Sequence, residues 1–131
     1  MKLEEGMYVR TNKGLIAKYT GYEKDEEDIE YNKYKFNGKI YWYYEYYNDY
    51  VYEENFQEWF EEKVIKVSHN IIDLIEVGDY VNGLLVIDKY YDYANKEWRL
   101  NDRNGLICTE KDIKSIVTKE QFECMCYKVG D

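Results

Sequence analysis

The chain has 131 residues, with 18 basic against 27 acidic side chains and a net charge of −9. That balance disfavours a nucleic-acid or anionic-membrane ligand, because such affinity comes largely from Lys and Arg neutralising phosphates. The length allows one ordinary domain or two small ones. No apolar run reaches the length of a signal peptide or membrane span, so a cytoplasmic protein is expected.

Taken in chain order, the first signal is Leu3-Glu4-Glu5-Gly6-Met7-Tyr8-Val9. It returns 72 residues later as Ile75-Glu76-Val77-Gly78-Asp79-Tyr80-Val81. Each copy then reaches a glycine and an apolar run, Gly14-Leu15-Ile16-Ala17 in the first and Gly83-Leu84-Leu85-Val86 in the second. Both copies close alike, on Val67-Ser68 and Val117-Thr118, each followed four residues on by an apolar side chain, Ile72 or Phe122. Two related modules in tandem explain these echoes. Within each, the Gly6 or Gly78 turn leads into a first strand and the glycine-initiated run forms a second. Ser68 or Thr118 caps a short helical turn placed before the last strand. The Thr118 and Gln121 spacing is that of a capping box. Together with the absence of proline and the abundance of Tyr, Ile and Val, this order predicts a mainly β protein of two tandem small SH3-like barrels. The first module spans 1–74 and the second 75–131.

The copies differ in length. Gly6 to Val67 is 61 residues and Gly78 to Val117 is 39, so the first copy carries about 22 extra residues. They fall within 23–62, which holds thirteen carboxylates against four lysines and so the whole net charge of −9, and also 14 of the 24 aromatics. A merely solvating acidic tail would be poor in aromatics, so this insertion should fold. Lys39 to Tyr47 and Tyr50 to Glu53 read as a long β-hairpin turning at Asn48-Asp49, with Trp42, Tyr44 and Tyr46 on one face and Tyr41, Tyr43, Glu45 and Tyr47 on the other. Phe56, Trp59, Phe60 and Val64 fall at helical spacing, predicting a short helix. The aromatics outnumber what one buried face can absorb, and exposed Tyr and Trp ringed by charge are what binding surfaces use. The acidic run Glu23 to Glu30 lacks the ligand order of a helix-loop-helix calcium motif and reads as a solvated loop.

Catalysis needs convergent groups, and the sequence offers none. His69 lies between Ser68 and Asn70, near Asp73, but neighbours in sequence do not make a triad, and a histidine in a capping turn is the simpler reading. No phosphate-cradling glycine loop or metal-hydrolase motif occurs. Cys108, Cys124 and Cys126 are odd in number and late in the chain, unlike a disulfide framework, so free thiols are expected. On a strand Cys124 and Cys126 would share a face, yet buried structural thiols are commoner than a zinc site. We therefore expect no enzyme, no cofactor and no metal.

Leu3 to Thr11, Ser68 to Gly83 and Ile116 to Glu123 resemble a group of small proteins carried by phages and prophages of Gram-positive, AT-rich bacteria. The resemblance covers both frameworks and not the insertion. It implies a phage accessory gene, a setting in which small acidic anti-CRISPR and other anti-defence inhibitors occur. The resulting expectation is a stoichiometric inhibitor, monomeric or dimeric in the host cytoplasm, that docks on the basic surface of a nucleic-acid-binding effector such as a CRISPR nuclease. Its carboxylates Glu45, Asp49, Glu53 and Glu54 would mimic phosphates, and Tyr43, Tyr47, Tyr50 and Trp59 would supply the buried anchors. The alternative is an interaction module of phage structure or assembly, without enzymatic activity.

Overall fold

Alternating β-branched and aromatic residues between glycine turns form strands throughout the computed structural model, which describes residues 3–24, 26–28, 30–44, 49–50 and 64–130. The chain divides into two units, Met1–His69 and Asn70–Asp131. Both are mainly β and built from small antiparallel sheets. Among the described residues none of the three sheets closes into a barrel.

In the first unit the strands are β1 (Tyr8–Thr11), β2 (Ile16–Lys24), β3 (Glu30–Phe36), β4 (Lys39–Tyr44), β5 (Asp49–Tyr50) and β6 (Val64–Ser68). They form one sheet in the order β5-β4-β3-β2-β1-β6. Its core is Val9, Ala17, Tyr19, Tyr34 and Tyr41, with Leu3, Leu15, Phe36, Val64 and Val67 packed against them. Tyrosines fill a role that aliphatic residues commonly take. Tyr19 and Tyr34 tilt together with ring centroids 5.4 Å apart, and the buried Tyr19 hydroxyl donates to Asn32 Oδ1 at 2.8 Å. That bond offsets the cost of taking a phenol out of water.

The second unit opens with a 3-10 turn, Ile71–Leu74, and continues through β7 (Tyr80–Val81), β8 (Leu84–Leu85), β9 (Asp88–Asp92), β10 (Glu97–Asn101) and β11 (Ile107–Cys108). A second 3-10 turn, Glu110–Asp112, precedes β12 (Ile116–Val117) and helix α1 (Lys119–Met125). The sheets run β11-β10-β9 and β12-β7-β8. Ile72, Ile75, Val81, Val86 and Leu100 make the core. The Asn82-Gly83 pair, with φ of 53° and 82°, forms the two-residue hairpin between β7 and β8, a turn that needs two left-handed residues.

The repeat is visible in hydrogen bonds. Met7 N–H donates to Glu4 O and Asp79 N–H to Glu76 O, both at 3.0 Å. The intervening Gly6 and Gly78 have φ of 93° and 102°, which a side chain rarely tolerates. Gly6 N–H then donates to Tyr19 O and Gly78 N–H to Val86 O. Equivalent glutamates are also engaged, Glu4 with His69 at 3.3 Å and Glu76 with Lys119 at 2.6 Å. One expectation is corrected here. Thr118 follows β12 and caps α1, so its helical turn comes after the last strand and not before it. Ser68 ends β6, and the 3-10 turn beyond it has Asn70, not Ser68, at its N-cap. The box itself forms, with Gln121 N–H donating to Thr118 Oγ1 at 3.3 Å and Thr118 N–H to Gln121 Oε1 at 3.1 Å.

Candidate partner-binding surface

Strand β4 carries the aromatic run into the sheet. It pairs with β3 in the register Asn32↔Tyr43, Tyr34↔Tyr41 and Lys35↔Ile40. Tyr41 is buried and Ile40 is 46 % exposed, so the pleat separates a core face from an outer one. Tyr43 shares the parity of Tyr41 along the strand. The hairpin with β5 is antiparallel, with Tyr43↔Tyr50 and Tyr44↔Asp49. Asp49 is thus a strand residue paired with Tyr44, not the turn residue its type suggested, and Asn48 lies outside the described residues. This brings three of the expected binding residues, Tyr43, Asp49 and Tyr50, onto adjacent strands at one end of the sheet. The other five, Glu45, Tyr47, Glu53, Glu54 and Trp59, lie outside the described residues, as does the helix expected around Phe56, Trp59 and Phe60.

The acidic run next to this hairpin is more ordered than a loop. Glu23 and Lys24 belong to β2 and Glu30 to β3, paired as Glu23↔Tyr31 and Lys24↔Glu30. Only the tip, with Glu26, Glu27 and Asp28 exposed, projects between the strands, and Asp28 takes a φ of 62°. The Lys33 ammonium pairs with the Glu23 carboxylate across β2 and β3. The sheet therefore neutralises part of its own acidity at this point.

Other candidate chemistry resolves simply. The His69 ring nitrogen Nε2 meets Glu4 Oε2 at 3.3 Å on the surface. Cys124 lies in α1 and Cys126 caps its C-terminus, which corrects the strand expected for the pair. Cys108, in β11, donates its thiol to Thr109 O at 3.6 Å. Burial and the neighbouring Asp112 charge push its pKa up. All three cysteines are free. No three His, Cys, Asp or Glu side chains among the described residues are placed to hold a metal ion, and no helix among them is long and apolar enough to cross a membrane.

Sequence reasoning missed the core role of Tyr34 and Tyr41, which takes two aromatics out of the excess attributed to a surface. Aromatics occupy both parities of β4, so tyrosine composition alone does not say which rings face inward. Compared with protein-family models, with curated proteins and with solved structures, the chain matches none.

Proposed function

We propose that this protein is a stoichiometric inhibitor that docks its acidic, aromatic extension on a basic, nucleic-acid-binding surface of another protein. Segregation of charge carries the reading: residues 23–62 hold the entire net charge of −9, and part of that segment extends a sheet through β3, β4 and β5. Carboxylates set on a sheet meet Arg and Lys with less ordering cost than a flexible tail would, and Tyr and Trp add apolar anchors. A channel built for a nucleic-acid backbone offers many such cations, and the attraction speeds encounter. The fuller proposal is a phage-borne anti-defence protein acting in the host cytoplasm, with a CRISPR effector nuclease as the target.

Tandem SH3-like barrels are the scaffold in this proposal. The pairing order supports it: β1 lies beside both β2 and β6, and β7 beside both β8 and β12. In the second unit β8 and β9 are taken as halves of one bent strand, pairing with β7 and β10 respectively, and a 3-10 turn precedes the last strand.

The test is a pull-down from lysate of a CRISPR-bearing Gram-positive host, wild type against a variant with Lys at Glu45, Asp49, Glu53 and Glu54. A nucleic-acid-binding effector recovered by the wild type alone supports the inhibitor, and equal recovery by the variant refutes phosphate mimicry. The position of β5, which has one strand neighbour among the described residues, favours a second reading, a phage assembly module that self-associates through sheet edges. Light scattering separates the two, since a high-order oligomer speaks for assembly and a monomer or dimer for inhibition.

A further inference from the structure

The second unit holds a groove unrelated to the acidic extension. Its floor is the buried trio Val81, Val86 and Leu100, and its lips are Leu84, Leu106 and Ile107, which stand 41 %, 60 % and 45 % exposed. The groove is open to solvent and its volume is about 170 Å³, close to the ~150 Å³ apolar cavity known to accept a benzene ring. Exposed aliphatic side chains gathered round an apolar hollow mark a recognition surface more than a solvated one.

Charge narrows the occupant. Among the described residues the ionisable carboxylates lining the groove are Asp102 and Asp112 and no Lys, Arg or His lines it, with Lys111 and Lys114 outside the lining but near enough to act on Asp112. Both acids are fixed in place. Asp102 Oδ1 accepts from Asn104 N–H at 2.9 Å and Leu106 N–H at 2.8 Å, and Asp112 Oδ2 accepts from Thr109 N–H at 3.1 Å. The Asn82 carboxamide is likewise committed, to Lys114 N–H, Ser115 N–H and Asp112 O. Asn101, also on the wall, has a buried Oδ1 that accepts no hydrogen bond among the described residues. A small turn of that carboxamide would let an N–H arriving with a ligand satisfy it.

We propose that this groove docks a short basic peptide segment of a partner protein, one aromatic side chain seated between Leu84, Leu106 and Ile107 and flanked by Lys or Arg that face Asp102 and Asp112. The apolar hollow supplies the anchor and the carboxylates set orientation, the usual division between a buried core and a charged rim. The site stands apart from the inhibitor reading, since all of its residues belong to the second unit.

Titrating the full chain with the peptide acetyl-Lys-Arg-Phe-Arg-Lys-amide, followed residue by residue by NMR, tests this. The amides of Leu84, Val86 and Ile107 should shift, with a dissociation constant below about 1 mM. Replacing the peptide's Phe by Ala, or Leu106→Lys in the protein, should weaken binding about tenfold or more. Leu106 is mostly exposed, so the variant should fold, and Ile107→Ala gives an independent second loss. An unshifted groove at about 2 mM peptide overturns the proposal, as does equal binding of a peptide with Glu in place of its basic residues. Shifts confined to the acidic extension refute the groove while leaving the inhibitor reading intact. Concentration-dependent shifts of the groove without peptide assign the face to a second copy of the chain and refute the peptide.

Discussion

The 3-10 turn Ile71–Leu74 is held at both ends by side chains distant in sequence, and cutting either hold should loosen the second unit. At its start the Glu110 carboxylate accepts from Ile71 N–H at 2.9 Å and Ile72 N–H at 2.8 Å. At its end Lys89 Nζ donates to Ile72 O at 2.9 Å and Ile75 O at 3.0 Å. The turn carries Ile72, Leu74 and Ile75 into the interior at 4 %, 0 % and 0 % exposure. A hydrogen bond to a charged group contributes about 1.5–3 kcal/mol. The Ile71 bond is exposed and the Ile72 bond half-buried, so solvent screening reduces the pair to about 2 kcal/mol. Glu110→Ala should lower urea stability by that amount, and Glu110→Gln by about half, because the amide oxygen still accepts one bond without the charge. Amide exchange at Ile71 and Ile72 should speed up about 30-fold, from 1.4 kcal/mol per factor of ten. Lys89→Met should act similarly while keeping the apolar stem. If Glu110→Ala stays within about 0.5 kcal/mol of wild type and leaves exchange at these amides unchanged, the clamp contributes nothing and the reasoning fails.

Three further outcomes are expected. Asp92 is held below its ordinary range chiefly by the Asn95 side chain, with the Asn95 and Ala94 amides and the Arg99 charge adding to it, and Asp112 chiefly by the Thr109 amide. Their contribution to stability is therefore present above pH ~4 and lost as pH falls through the lowered values. Urea midpoints measured from pH 6 to 2 should drop in the acid limb, with a smaller drop in Asp92→Asn. Thiol labelling should be fast at the exposed Cys124 and slow at Cys108, whose half-burial and raised pKa limit thiolate; mass spectrometry of partly labelled protein reads the order, and equal rates would contradict the placement of Cys108. Gly78→Ala should cost about 1–3 kcal/mol by urea denaturation, since a φ of 102° strains any side chain and the new Cβ would sit 3.4 Å from Lys119 Cδ.

The repeat was legible because glycine at a turn and a Tyr-Val strand start leave residue-type signatures, and the Glu4 and Glu76 turns close with the same bond. Register was not. Aligning Val67 with Val117 by sequence conflicts with pairing, where Tyr8 faces Ser68 but Tyr80 faces Val117. A one-residue slip changes partners without changing composition. The Glu110 clamp was hidden for another reason: its partners are 39 and 38 residues away, and no local periodicity reports a contact of that span. The groove was equally silent, since Leu84 lies some twenty residues from Leu106 and Ile107 and no local pattern joins them. Of the candidate binding surface, sequence indicated a hairpin, while the pairing of Asp49 with Tyr44 had to come from the backbone.

The framework of the first unit should not need the segment between β4 and β6. Sheet order sets β4 four strand spacings from β6, about 19 Å at ~4.8 Å each. The four antiparallel pairings from β4 to β6 leave these two strands parallel, so the chain leaving Tyr44 must also return along the sheet from the level of Glu23 to that of Leu15 on β2, about 25 Å at ~3.3 Å per residue. Roughly a dozen or more extended residues make that crossover, and 19 residues, 45–63, now connect the strands. Among the described residues the core of this unit is drawn from β1 to β4 with Leu3, Leu15, Val64 and Val67. Loop closure depends only weakly on length. Replacing 45–63 with a sixteen-residue Gly/Ser linker, long enough for the crossover, should thus keep the β1–β6 pairing and shift urea stability by about 1 kcal/mol or less. It also removes seven carboxylates and one lysine, so capture of a basic partner should be lost. NMR exchange protection at Val9 and Val67 reads the framework, and the pull-down reads function. Loss of protection would show that 45–63 builds the core of the unit. Retained capture in a folded variant would move the binding surface to the Glu23–Asp28 end of β2 and β3 or to the second unit.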